Sequence, residues 1–66
     1  MKMIRVQDVS NLTSLGKSTI YKLIKEGTFP KQVSLGERCV AWVESEVQEW
    51  ILARIDERDL GEQVVA

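Results

Sequence analysis

The sequence contains no histidine and a single cysteine, Cys39. No intrachain disulfide can form, which excludes the stapled framework of a small secreted domain. With one thiol and no imidazole, a structural zinc site lacks its ligands, and nucleophile–base pairs lose their usual members. We therefore expect no metal, no cofactor, no catalytic residues and no enzymatic activity. No apolar run approaches the about 18 residues needed to cross a bilayer. Met1-Lys2-Met3-Ile4 also lacks the apolar stretch of a signal peptide. The expectation is a soluble cytoplasmic protein without a membrane partner. One proline, four glycines and a 44% hydrophobic content exclude a disordered chain. Sixty-six residues make one small domain, which buries only about 60% of its unfolded surface, so each large apolar residue matters.

What the sequence does have is an uneven charge. Residues 1–43 carry seven bases and three acids, a net +4, whereas residues 44–66 carry two bases and seven acids, a net −5. The near-neutral total therefore does not argue against nucleic-acid binding by one face, although it does argue against a generic charge-driven binder.

Apolar spacing predicts the elements. Val6, Val9 and Leu12 recur at every third residue and predict a short amphipathic helix, followed by a tight connection, Thr13–Gly16, with Leu15 turned inward. A second helix is predicted over Lys17–Glu26, with Gly16 as N-cap, Gly27 as the left-handed residue after its end, and Pro30 preventing continuation. Ile20, Leu23 and Ile24 form its inner stripe. At about 100° per residue, Ser18, Lys22 and Lys25 fall opposite, with Tyr21 on the flank.

Val33 and Leu35, then Val40 and Trp42, alternate on either side of Gly36-Glu37 and predict a hairpin. With Gly36-Glu37 as the loop, Leu35 pairs with Arg38 and Val33 with Val40. Val33, Leu35, Val40 and Trp42 then share an inner face. A last helix is predicted from Glu44 or Ser45, with Ser45 and Gln48 at capping-box spacing, acids in its first turn, and Val47, Trp50, Ile51 and Ile55 inward. Its pattern fades after Arg58, so residues 1–59 read as the domain and 60–66 as a flexible tail.

The order is two short helices, a two-stranded antiparallel wing and a third helix. This is a mainly α fold with a small β-hairpin, a winged helix-turn-helix. The runs Thr19–Gly27, Phe29-Pro30, Leu35–Arg38, Trp42–Val47 and Trp50-Ile51 resemble AlpA-type prophage regulators, which are akin to the MerR DNA-binding domain and to phage excisionases. The likeness covers about residues 4–55.

The resemblance implies a sequence-specific double-stranded DNA-binding regulator of a prophage or mobile element, controlling integrase or excisionase expression. It places Lys17, Ser18, Thr19, Tyr21, Lys22 and Lys25 on a helix that enters the major groove. It places Gly36, Glu37 and Arg38 on a wing against the DNA backbone. The family usually has Gly where Ser14 stands and Ser where Gly16 stands, and often a small residue in place of Glu37, whose charge disfavours deep wing insertion.

Competing readings stand beside this one. Lys22 and Lys25 serve equally as solubilising charges if no DNA is bound. Trp42, Trp50, Phe29 and Tyr21 have the chemistry to stack on single-stranded bases, but Trp42 and Trp50 fall on inner stripes; Tyr21 stays open. Cys39 has no second thiol or base near it in sequence. Glu46 and Glu49 are explained by the helix dipole rather than by acid–base chemistry. Gly16-Lys17-Ser18 is not a phosphate loop, because Asn11 stands where that motif needs its first glycine.

At the level of function, an architectural excisionase that bends DNA is the neighbouring alternative. A protein-interaction module that docks through its acidic third helix is the more distant one. One helix and a wing read too few base pairs to define a genomic site. Weak self-association on DNA, or a partner such as an integrase or recombinase, is therefore expected. Leu52 and Ile55 offer an apolar edge for assembly unless Ile4 covers it.

Overall fold

The computed structural model describes residues 1–65, with side chains as far as Gly61. It contains β1 (Met3–Ile4), α1 (Val6–Thr13), α2 (Lys17–Lys25), β2 (Val33–Gly36), β3 (Cys39–Val43) and α3 (Glu44–Val65). Three helices and a small antiparallel sheet make a mainly α fold with a β-hairpin, consistent with a small helix-turn-helix-like domain.

The helix boundaries follow local chemistry. Arg5 is the N-cap of α1, and its N–H donates to the Asp8 carboxylate at 3.1 Å, one half of a capping box. The end of α1 is Ser14 in the left-handed region, φ 63° and ψ 14°, with its N–H on the Ser10 carbonyl at 2.8 Å. Gly16 caps α2 with an extended backbone. At the other end Gly27 takes φ 79°; its N–H donates to the Ile24 carbonyl and the Thr28 N–H to the Leu23 carbonyl, both at 3.0 Å. This is a Schellman closure, and it leaves few carbonyls of α2 without a partner.

The sheet differs from the expected two-stranded ribbon. Its strand order is β1-β3-β2, with Ile4 opposite Trp42 and Met3 opposite Val43. A two-residue strand carries no legible period, so β1 left no trace in the apolar spacing. It also fixes the start of α3: Glu44 donates its N–H to the Lys2 carbonyl at 2.9 Å. The helix begins at Glu44, so Ser45 lies inside the first turn rather than at a cap.

The hairpin register is corrected by one residue. Val33 pairs with Ala41, Ser34 with Val40 and Gly36 with Cys39, and Leu35 is bulged out between Ser34 and Gly36. The loop is therefore Glu37-Arg38, with Gly36 at φ 152° and Arg38 at φ 55°. The physical reason is that β3 is pinned centrally by β1 and by Trp42, whereas β2 is an edge strand exposed along its whole length. With no burial on β2 to enforce alternation, turn geometry rather than hydrophobic pattern sets the register. Val33 and Leu35 are accordingly exposed instead of sharing an inner face with Val40 and Trp42.

The core is Ile4, Val9, Ile20, Phe29, Trp42 and Val47, with Val6, Leu15, Leu23, Ile24, Val40, Trp50 and Ile51 packed around it. Leu12, expected on the inner stripe of α1, is instead exposed at the rim of a groove beside Ile51 and Ile55. Ile4 is committed to the core and leaves Leu52 exposed.

The third helix does not fade after Arg58 but continues through Gly61 to Val65. Leu52, Ala53, Arg54, Glu57, Arg58 and Leu60 are strong helix formers, and one glycine costs only about 1 kcal/mol. Propensity sustains the helix where periodicity stops. The helix thus runs through residues 60–65 of the expected tail; Ala66 lies outside the described residues. At 22 residues α3 is about 33 Å long, more than either short dimension of the molecule, 24 and 19 Å. Its second half therefore projects beyond the core.

Candidate nucleic-acid interface

Helix α2 is held by one face and free on the other. Ile20 is fully buried, and Leu23 and Ile24 pack around the core. Lys17, Ser18, Thr19, Tyr21, Lys22 and Lys25 are all exposed. At about 100° per residue, Ser18, Lys22 and Lys25 form the strip opposite Ile20. Thr19 and Tyr21 border that strip on either side, whereas Lys17, exposed in the first turn, falls about 60° from Ile20 and so off the outer strip.

Among the described residues the ion pairs lie elsewhere. They join Lys2 to Glu44 at 3.8 Å, Arg54 to Glu57 at 2.6 Å and Arg58 to Asp59 at 2.9 Å. Among the described residues, Lys17, Lys22, Lys25 and Arg38 have no carboxylate partner. A base that makes no internal contact contributes little to the fold and keeps its charge available to an anion.

The short connection between α1 and α2 is held by two side-chain hydroxyls. Ser10 Oγ donates to the Leu15 carbonyl at 2.6 Å. Thr13 Oγ1 donates to the Val9 carbonyl at 2.8 Å and accepts from the Leu15 N–H at 3.2 Å. Both hydroxyls satisfy backbone groups that the three-residue turn would otherwise leave open.

Tyr21 is 38% exposed, and its ring stands edge-on to Trp42 at 6.1 Å. The ring therefore packs in part against the core while the residue stays partly open to solvent. Trp42 is fully buried and Trp50 partly buried, so neither presents a stacking platform.

Gly36, Glu37 and Arg38 are exposed at the hairpin tip. They make no hydrogen bond, ion pair or ring contact with α2 among the described residues. Leu35, 54% exposed beside this tip, and Lys31, an exposed base just before β2, were not picked out by sequence reasoning.

An exposed basic and hydroxyl-bearing helix, set after a tight turn and followed by a hairpin, defines a small helix-turn-helix-like domain. A family described as prophage CP4-57 regulatory protein (AlpA) matches residues 2–55. The chain is 50% identical over 60 residues to the protein ORF88 of Enterobacteria phage P4, across 91% of this chain and 68% of that protein. It is 32% identical over 60 residues to the DNA-binding transcriptional activator AlpA of Escherichia coli (strain K12), across 82% of this chain and 86% of that protein. The chain belongs to the AlpA family of prophage regulatory proteins.

Proposed function

We propose that this protein is a winged helix-turn-helix regulator that binds double-stranded DNA in a sequence-dependent manner and controls prophage or mobile-element genes, those for an integrase or excisionase foremost. The observation that carries the reading is the outer face of α2, where Lys22, Lys25 and Ser18 stand exposed between Thr19 and Tyr21, and the two lysines have no ion-pair partner among the described residues. The name of the Escherichia coli relative, a DNA-binding transcriptional activator, supports it.

A nine-residue helix is about 14 Å long and fits the major groove, about 12 Å wide. Lys22 and Lys25 have the charge and reach for phosphates or guanine edges. Ser18, Thr19 and Tyr21 have hydroxyls for phosphates or bases. The hairpin acts as the wing: Arg38 meets the backbone, and the neighbouring Glu37 keeps the tip from deep insertion. Two or more copies act together on adjacent sites, because one domain reads too few base pairs. Leu52, 58% exposed, and Ile55, 38% exposed, are the apolar edge available for that contact.

Selection of duplexes from a random pool, followed by footprinting of the selected site, tests this reading. The expected result is an enriched sequence with major-groove protection. A pool that stays random after repeated selection at low salt would refute sequence-dependent binding, and the acidic third helix would then become the leading surface for function.

A further inference from the structure

The segment that joins α2 to β2 contains no strand or helix of its own, yet two different elements hold it by alternate carbonyls. Thr28 belongs mechanically to α2: its N–H and its Oγ1 both donate to the Leu23 carbonyl, at 3.0 and 3.2 Å. The carbonyl of the same residue accepts the Trp50 indole N–H from α3 at 2.6 Å. Two residues later the Pro30 carbonyl accepts the Trp42 indole N–H from β3 at 3.1 Å. Between them Phe29 is buried and packs edge-on against Trp50 at 4.8 Å. Trp42 in turn packs edge-on against Tyr21 on α2.

We infer that Trp50 and Trp42 are positioning residues of the DNA interface. Their indole N–H groups fix the angle of α2 relative to α3 and to the hairpin, so that both elements meet one duplex together, and neither tryptophan touches DNA. This inference rests on the DNA-binding reading above.

The Trp50 bond is the more telling of the two. It lies at the surface, where water would satisfy both the indole and the Thr28 carbonyl if they parted. Its net contribution is therefore that of one neutral hydrogen bond, too little for its loss to unfold the domain but enough to bias the angle between the elements it joins. A helix and a hairpin that must reach separate parts of one site lose affinity for that site when the angle between them is loose. Their loose, charge-driven binding to any duplex depends on lysines and arginines and is untouched.

The test replaces Trp50 with 3-benzothienylalanine, which keeps the shape of the ring and lacks the N–H donor, and in parallel makes Trp50→Phe. Binding is measured by fluorescence anisotropy on a duplex selected by the wild-type protein and on a scrambled duplex, well below the melting temperature. We expect affinity for the selected duplex to fall about fivefold, the equivalent of one neutral hydrogen bond, with affinity for the scrambled duplex and the salt slope unchanged. Equal affinity of wild type and the benzothienyl variant for the selected duplex overturns the inference, as does a parallel fall on both duplexes. Lys22→Ala, measured alongside, is expected to weaken binding to both. If the wild type binds neither duplex, the DNA-binding reading fails instead, so the two failures are distinguishable.

Discussion

Ser14→Gly should make this protein more stable while leaving its binding unchanged. Ser14 ends α1 at φ 63°, in the left-handed region, where an L-residue bears about 1–2 kcal/mol of steric cost and glycine bears almost none. Against this stands the extra freedom that glycine gives the unfolded chain, about 0.4–1 kcal/mol. The Ser14 side chain makes no hydrogen bond among the described residues, so its removal loses no contact. The net gain is about 0.5–1 kcal/mol. For a domain this small, each kcal/mol shifts the melting temperature by about 4–8 °C, so thermal denaturation by circular dichroism should show a rise of about 2–8 °C. Ser14→Val provides the opposite control, since a branched side chain is strained at positive φ. A Ser14→Gly protein that melts at or below the wild-type temperature would falsify this account of the turn.

Other substitutions separate folding from binding. Arg38→Gly relieves a left-handed residue at the hairpin tip; it should raise the melting temperature by a few degrees while weakening DNA binding, and a variant that binds as tightly as wild type would remove Arg38 from the interface. Trp50→Ala removes a partly buried ring together with its contacts to Phe29 and Thr28; a chemical denaturation midpoint reporting a loss of about 3 kcal/mol, near the low end for tryptophan truncation, is expected. A Trp50→Ala protein of unchanged stability would mean the ring packs less than the geometry indicates. Leu52→Glu, at an exposed site, should leave stability within about 0.5 kcal/mol and abolish cooperative binding to DNA, as read by sedimentation with a selected fragment; cooperativity retained in this variant excludes the α3 edge as an assembly surface.

Much of the fold was legible because burial imposes a period on the sequence. Ile20, Leu23 and Ile24 declared the inner face of α2, and Gly16 and Gly27 declared its ends, as the structure bears out. The hairpin was legible as a hairpin but not in its register, because the pattern was applied to Val33 and Leu35 on an edge strand where no burial enforces it. The first strand was too short to show any pattern, and the second half of α3 has no apolar stripe, so its helicity had to come from propensity. The exposed positions of Ser18, Lys22 and Lys25 followed directly from α2 periodicity. The two indole clamps did not, since backbone carbonyls carry no sequence signature; the only hint was that two tryptophan N–H groups near a core must find acceptors.

The central claim is that the outer face of α2 meets DNA. It is tested most directly by the salt dependence of binding for wild type and for the double variant Lys22→Ala/Lys25→Ala on one selected duplex. Both side chains are exposed and have no ion-pair partner among the described residues, so the variant should melt with the wild type. If each lysine neutralises a phosphate, the slope of log affinity against log salt should fall in magnitude by about 0.9 per contact, about 1.8 in total. An unchanged slope and affinity in a folded double variant would contradict the account and place the DNA, if any, on another face.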